Sequence, residues 1–314
     1  MTISVPSSRI ALPAADAFDD CAYAAGKTDI APSCSAKIPL AETLKRFERE
    51  ATHGSFDTGR YRMRFNVWGE GPPLVMVPGM CDDRVSFVLP MSRLAERFCC
   101  ISYDHPTGHD DGAKLGARRH VDYVDDFFAL LDHLRLDRVV PMGSSFGSTI
   151  TLAAMHRMPK RFPRGILQGG FARRRLSVAE QMLARWARWW PGMLAQLPGR
   201  ESIVLRNQGT TFDEAPPERM AWFLERNGAP PIAAVAHRAL VIDGLDLRRL
   251  LPSVRQPMLL VVGDSDTLVG RQQEKELLDG LPHANHAEIE HCGHLPQYSH
   301  PEVFAELIQQ WLSK

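Results

Sequence analysis

Short, largely apolar runs punctuate the middle of the chain: LVMV (74–77), CCISY (99–103), RVVPM (138–142) and MLLVV (258–262). Runs of this kind, without a polar face, are what strands of a parallel sheet look like when helices cover both sides. An alternating segment, YRMRFNVWG (61–69), reads as a half-buried strand ahead of them, and a further strand is predicted over 286–290. Between these runs the apolar spacing changes to three and four. Val121, Val124, Phe128, Leu131 and Leu134 form one stripe along 120–136. The last helix opens on Pro301, with Glu302 beside it where the helix dipole favours negative charge, and is expected to bury Val303, Phe304, Leu307, Ile308, Trp311 and Leu312. Upstream, Leu40, Leu44 and Phe47 predict a helix that starts near Ile38 and stops at Gly54. Strands alternating with helices predict an α/β fold with a doubly wound, mostly parallel sheet.

The rhythm breaks once. Residues 171–252 lack a clear strand run, hold Trp186, Trp189, Trp190 and Trp222, and are expected to form a helical cap inserted between two strands. This stretch has twelve arginines, no lysine and eight acidic residues, a formal charge of about +4. The expected organisation is a leader (1–37) rich in Ala, Ser, Pro and Asp, a core made of 38–170 and 253–314, and the cap between them.

Composition narrows the class. Apolar residues are 44 % and charged residues 24 % of 314, the balance of a globular domain, and Lys plus Arg equals Asp plus Glu at 37 each. With no excess of either sign, neither nucleic acid nor an acidic membrane surface is expected as partner. No apolar run approaches the 18 or so residues of a membrane span, and the N-terminus lacks the basic start and apolar core of a secretory signal. Six scattered cysteines without CxxC spacing read as reduced thiols, so the expected address is the cytoplasm.

The strongest chemical signal is Gly143-Ser144-Ser145-Phe146-Gly147, between the RVVPM strand and the helical run that follows. A serine in G-x-S-x-G at a strand-to-helix turn sits in a strained bend that thrusts out its hydroxyl, and the bend demands small neighbours two residues either side. A serine hydroxyl is a weak nucleophile, so it needs a base in reach and a carboxylate to orient that base. Downstream, Asp264 and Asp266 follow the MLLVV strand, and His291 and His294 follow the next one, all just past carboxyl ends of strands. The residue after the nucleophile, Phe146, is expected to supply one N–H of an oxyanion hole.

On these motifs the chain resembles the α/β-hydrolase superfamily, in particular its capped members with a helical insertion after the sixth strand, over roughly residues 60–314. The resemblance implies Ser145 as nucleophile, Asp266 as acid (three residues after the glycine that ends its strand) and His294 as base, in Gly293-His294-Leu295-Pro296. It points to Met80 for the second oxyanion donor. Three departures stand out: Pro78-Gly79-Met80 where His-Gly-x is usual, Ser148 where a glycine is common, and YDHPTGHDDG in place of an Asp-x-Arg-Gly-x-Gly-type loop.

In that last loop Asp104, His105, His109, Asp110 and Asp111 are potential metal ligands, but their spacing matches no ligand motif, and neither metal nor cofactor is expected. Cys81 and Cys292 are expected to be small buried fillers. The cap tryptophans with Met182, Met193 and Met220 would line an apolar acyl pocket or pack between helices, and Arg173, Arg174 and Arg175 would be solvated or would attract an anionic substrate group. The expected activity is hydrolysis of a small or medium carboxylic ester. Thioesters, lactones, amides and activated C–C bonds are alternatives on the same three residues, and a catalytically weak binding protein is the rival reading.

Overall fold

The computed structural model describes residues 36–213 and 215–314, so nearly all of the predicted leader lies outside the described residues. Eight strands form one sheet: β1 (Thr52–Asp57), β2 (Arg62–Trp68), β3 (Pro73–Val77), β4 (Cys99–Tyr103), β5 (Val140–Ser144), β6 (Gly165–Gln168), β7 (Met258–Gly263) and β8 (Ala284–Ile289). Their order is β1-β2-β4-β3-β5-β6-β7-β8. Strand β2 runs antiparallel to β1 and to β4, and every other pairing is parallel.

The helices are α1 (Leu40–Glu50), α2 (Val88–Leu94), α3 (His120–His133), α4 (Phe146–Arg157), α5 (Val178–Ala187), α6 (Arg200–Gln208), α7 (Pro217–Gly228), α8 (Ile232–Asp243), α9 (Arg271–Gly280), α10 (Pro296–Ser299) and α11 (Pro301–Leu312). The strand runs are apolar throughout because successive side chains enter different cores. In β3, Val75 and Val77 join the layer of α3 and α4, whereas Leu74 and Met76 join the layer of α2 and α11. Met258 and Leu260 of β7 divide from Leu259 and Val261 in the same way.

Two local expectations are corrected and one strand is added. The first helix ends at Glu50, and Gly54 lies within β1 opposite Phe65, because pairing with β2 captures this short polar segment. Strand β6 (GILQ) is too short to show periodicity and exists because β5 and β7 pair with both its edges. Val121 is 42 % exposed, whereas the rest of the predicted stripe, Val124, Phe128, Leu131 and Leu134, is buried, and Tyr123, Phe127 and Leu130 widen the buried arc.

Helices α5 to α8 all lie between β6 and β7, in the interval predicted to be helical. Helix α7 is tied to the body by a buried ion pair: the Arg219 guanidinium, 2 % exposed, meets both carboxylate oxygens of Glu302 on α11 and donates to the Ile38 carbonyl at 2.9 Å. Glu302 in turn accepts from Ile38 N at 2.6 Å. Removing one member of such a pair strands the other charge, whereas replacing both by apolar groups is close to neutral. Glu302→Gln is therefore expected to lower unfolding free energy by about 3 kcal/mol, and Arg219→Met/Glu302→Leu to recover most of it, as read by urea denaturation. A double variant as unstable as the single one would mean that charge pairing is not what matters here.

Candidate active site

The chain runs outward from β3 to β4 on one side of the sheet and resumes at β5 on the other, so the carboxyl ends of β3 and β5 flank a topological switch point. Loops leaving such neighbours diverge and leave a crevice. Ser145 lies there, between β5 and α4, with φ 49° and ψ −114°, a conformation costly for a side chain larger than hydrogen. The glycines around it are required by close approach. A Cβ on Gly143 would lie 2.5 Å from Gly147 O and 2.6 Å from Thr151 Oγ1, and one on Gly147 would overlap the Val77 carbonyl of β3. The bend is pinned by Ser145 N donating to Gln168 O at 2.8 Å and by the Ser148 hydroxyl donating to Ser145 O at 2.6 Å. Ser148, a departure at sequence level, thus braces the turn.

His294 and Asp266 meet from the loops after β8 and β7. Nδ1 of His294 is 2.7 Å from Asp266 Oδ2, with both side chains about 5 % exposed or less. Burial pushes the Asp266 carboxyl up, but hydrogen bonds from His294 and from Leu268 N and Val269 N outweigh it, and the net shift is downward. Asp264 instead binds the backbone N–H groups of His291 and Cys292, which shapes the histidine loop from outside the pair. Gly169, at φ 51°, leaves room for the ring: a Cβ there would lie 2.7 Å from His294 Cε1.

Ser145 and His294 line one cavity of about 380 Å³. Among the described residues no hydrogen bond joins the Ser145 hydroxyl to the imidazole, and such contacts commonly close only around a bound substrate. Met80 lines the same cavity, and neither Met80 N nor Phe146 N donates to a protein acceptor among the described residues. Phe146 is the first residue of α4, where helical N–H groups are free. Trp186, Trp190, Leu183 and Leu197 form the apolar wall. Met182 is instead exposed, Met220 packs on a core and Trp222 is buried against Tyr298.

The loop cluster of possible metal ligands is not assembled. Asp104 pairs with Arg84, Asp110 with Arg64, Asp111 caps the turn at Thr107 and Gly108, and buried His105 reaches the Pro78 carbonyl at 2.9 Å. Burial, together with nearby Arg238, holds His105 well below the ordinary histidine value. Burial pushes the thiols of Cys81 and Cys292 up to about 12, so neither is a thiolate at neutral pH.

Four residues that the sequence did not single out support these groups. Gln168 donates Nε2–H to His294 O at 2.6 Å and accepts from the Ser144 hydroxyl at 2.6 Å, which links the serine turn to the histidine loop. Arg238 of α8 donates to the Met80 carbonyl at 2.6 Å and the Pro106 carbonyl at 2.9 Å. Asp82 accepts from Gly79 N at 3.0 Å and lies 3.5 Å from Gln297 Nε2. Nothing in their spacing marks them, since the contacts of Gln168 and Arg238, and that of Asp82 with Gln297, join residues distant in sequence.

A family model described as alpha/beta hydrolase fold matches residues 72–301. The chain is 25 % identical over 258 residues to a putative carbamate hydrolase, RutD, of Azorhizobium caulinodans, covering 78 % of this chain and 92 % of that one. It is 26 % identical over 252 residues to the pimeloyl-[acyl-carrier protein] methyl ester esterase of Nitrosomonas europaea, covering 75 % and 94 %. Its fold superposes on a thermophilic esterase from Thermogutta terrifontis with TM-score 0.73 at 22 % identity, over 83 % of this chain and 98 % of that one.

Desolvation raises the buried Asp82 carboxyl to about 6, with Gly79 N and His294 opposing. Between the ordinary value and about 6 the folded state keeps a proton that the unfolded chain has released, so Asp82 costs stability as pH rises through that window. Asp82→Asn lacks this slope. Its stability relative to wild type is expected to improve by about 3 kcal/mol between pH 4 and 7 and to level off above. Denaturant titrations of the pair at each pH measure this, and a constant difference would show that Asp82 ionises as freely as in water.

Proposed function

Since the chain belongs to the alpha/beta hydrolase fold family, we propose that it is a serine hydrolase that cleaves a small or medium carboxylic ester through an acyl-enzyme. The observation that carries this reading is the strained Ser145 backbone on the wall of an apolar cavity shared with the His294–Asp266 pair. Backbone strain persists where the surrounding packing enforces it, and it clusters where a side chain must be aimed.

In the proposed reaction Ser145 Oγ attacks the carbonyl carbon while His294 Nε2 takes the hydroxyl proton. As the Oγ–C bond forms, the carbonyl electrons move onto oxygen, and Met80 N–H and Phe146 N–H donate to that oxyanion. Collapse expels the alcohol, which receives the proton from His294. A water deprotonated by the same imidazole then frees the acid and restores the serine. Asp266 accepts the Nδ1–H bond, which holds the tautomer whose Nε2 is free to act as base. Residues 171–252 serve as the cap that walls the acyl site, and the substrate is a small molecule with an apolar acyl group.

The esterase among the relatives supports ester cleavage, and the carbamate hydrolase supports hydrolysis of a neighbouring carbonyl class. The free cysteines Cys81, Cys99, Cys100 and Cys292 suit the reducing cytoplasm that belongs to this reading. Among the described residues no helix is long and apolar enough to cross a membrane.

A fluorophosphonate probe is expected to label wild type and not Ser145→Ala. His294→Ala should lower kcat for a p-nitrophenyl ester by several orders of magnitude, and Asp266→Asn by on the order of 10⁴, while both variants remain folded by circular dichroism. Absence of labelling in folded wild type would remove the nucleophile assignment, and an undiminished rate in His294→Ala would remove the base. Esters, thioesters and lactones of graded chain length, compared by kcat/KM, separate the bond classes. A preference for thioesters or lactones would replace the ester assignment.

A further inference from the structure

Helix α5 and the turn after it carry an apolar face that no other part of the protein covers, among the described residues. At about 100° per residue, Val178, Met182, Trp186 and Leu183 of α5 fall within one arc of roughly 140°, and Trp189 and Trp190 follow in the turn beyond its C-terminus. The opposite side, with buried Ala184, packs on α8. Val178 is 74 %, Met182 65 % and Trp189 75 % exposed, an outlay of large apolar surface that single-residue scatter does not account for.

Three observations bear on what this face meets. First, Arg185 borders the arc and Arg188 lies in the turn beyond it, and among the described residues neither pairs with a carboxylate, although Arg174, Arg219, Arg226 and Arg248 of the same insertion do. Arg188 lies 4.8 Å from the Trp189 ring centroid, so cation and aromatic are presented together. Second, the face is continuous with the cavity: Leu183, Trp186 and Trp190 are exposed and also line the space that ends at Ser145 and His294. Third, the insertion that carries this face has a formal charge of about +4, which favours an anionic partner over a second copy of the same face. Tryptophan and arginine on one helix face match the interface of a bilayer, where rings sit at headgroup depth and cations meet anionic lipid.

We propose that this face docks on an anionic phospholipid bilayer and that, on the hydrolase reading above, an acyl ester passes from the lipid along Leu183, Trp186 and Trp190 to Ser145 without crossing water. The balanced charge of the whole chain, from which no acidic surface is expected as partner, averages over this local pattern. The helix lies on the surface and does not span it.

Full-length Ser145→Ala protein is mixed with phosphatidylcholine vesicles or with vesicles in which about a third of the lipid is phosphatidylglycerol, and sedimented at low and high salt. It is expected to sediment with the anionic vesicles and to be released by salt. Met182→Ser/Trp189→Ser should weaken partition roughly tenfold or more, and Arg185→Gln/Arg188→Gln should remove most of the preference for anionic lipid. None of these four side chains lines the cavity, so both double variants should hydrolyse a soluble p-nitrophenyl ester at the wild-type rate when Ser145 is present. The proposal is overturned if the protein does not sediment with anionic vesicles. Partition untouched by Met182→Ser/Trp189→Ser overturns it too, as does a dimer that this variant converts to monomer without any vesicle binding. A protein that binds vesicles through this face but hydrolyses no ester would uphold the docking surface and sink the enzyme reading.

Discussion

A serine backbone held at φ 49° makes sense only if everything around it is fixed, and much of the architecture follows from that constraint. Such a conformation costs roughly 1–3 kcal/mol and would relax if the turn had room. It has none. The turn is closed by β3 on one side, through the Val77 and Pro78 carbonyls that crowd Gly147, and by β6 on the other, through the Gln168 carbonyl. Parallel pairing of β3, β5 and β6 sets those distances, and the two cores hold the strands in place. The aim of one hydroxyl is thus set by sheet packing.

Around this point the protein uses two buried carboxylates in opposite ways. Asp266 has a histidine and two backbone N–H groups as donors, and its charge is favoured despite burial. Asp82 has one close backbone donor and sparse side-chain contacts, and its charge is disfavoured. The first suits a group that orients an imidazole and stabilises positive charge on it. The second suits a brace for the Gly79–Met80 backbone, since it accepts from Gly79 N. Arg238 holds the same loop from the helical insertion, so the insertion and the loop of the proposed oxyanion donor Met80 are joined directly.

The insertion itself is held in two different ways. Arg219 and Glu302 fasten α7 to the body through buried charge, whereas α5 shows the body little more than Ala184. Its large side chains point outward or line the cavity, while Ala184 packs on α8.

Read from sequence, the β runs 99–103 and 258–262, the serine turn and the Gly-His-x-Pro histidine were legible because each is a local pattern enforced by local sterics or by burial on both faces. The segment 52–57 and the strand GILQ were not, since their neighbours across the sheet decide their state. On α3 the stripe is buried except at its first position, Val121, and the buried arc is wider than the spacing alone predicts, taking in Tyr123, Phe127 and Leu130. By itself, then, the sequence determined the α/β architecture and the interrupted helical insertion through short-range periodicity, and it offered Ser145 through its turn motif and Asp266 and His294 through the family resemblance. Only the tertiary structure decided that Gln168, Asp82 and Arg238 stand behind them, that two tryptophans line the cavity while a third faces outward, and that the metal-like loop is a set of ion pairs. These depend on contacts between residues far apart in the chain, which no local pattern encodes.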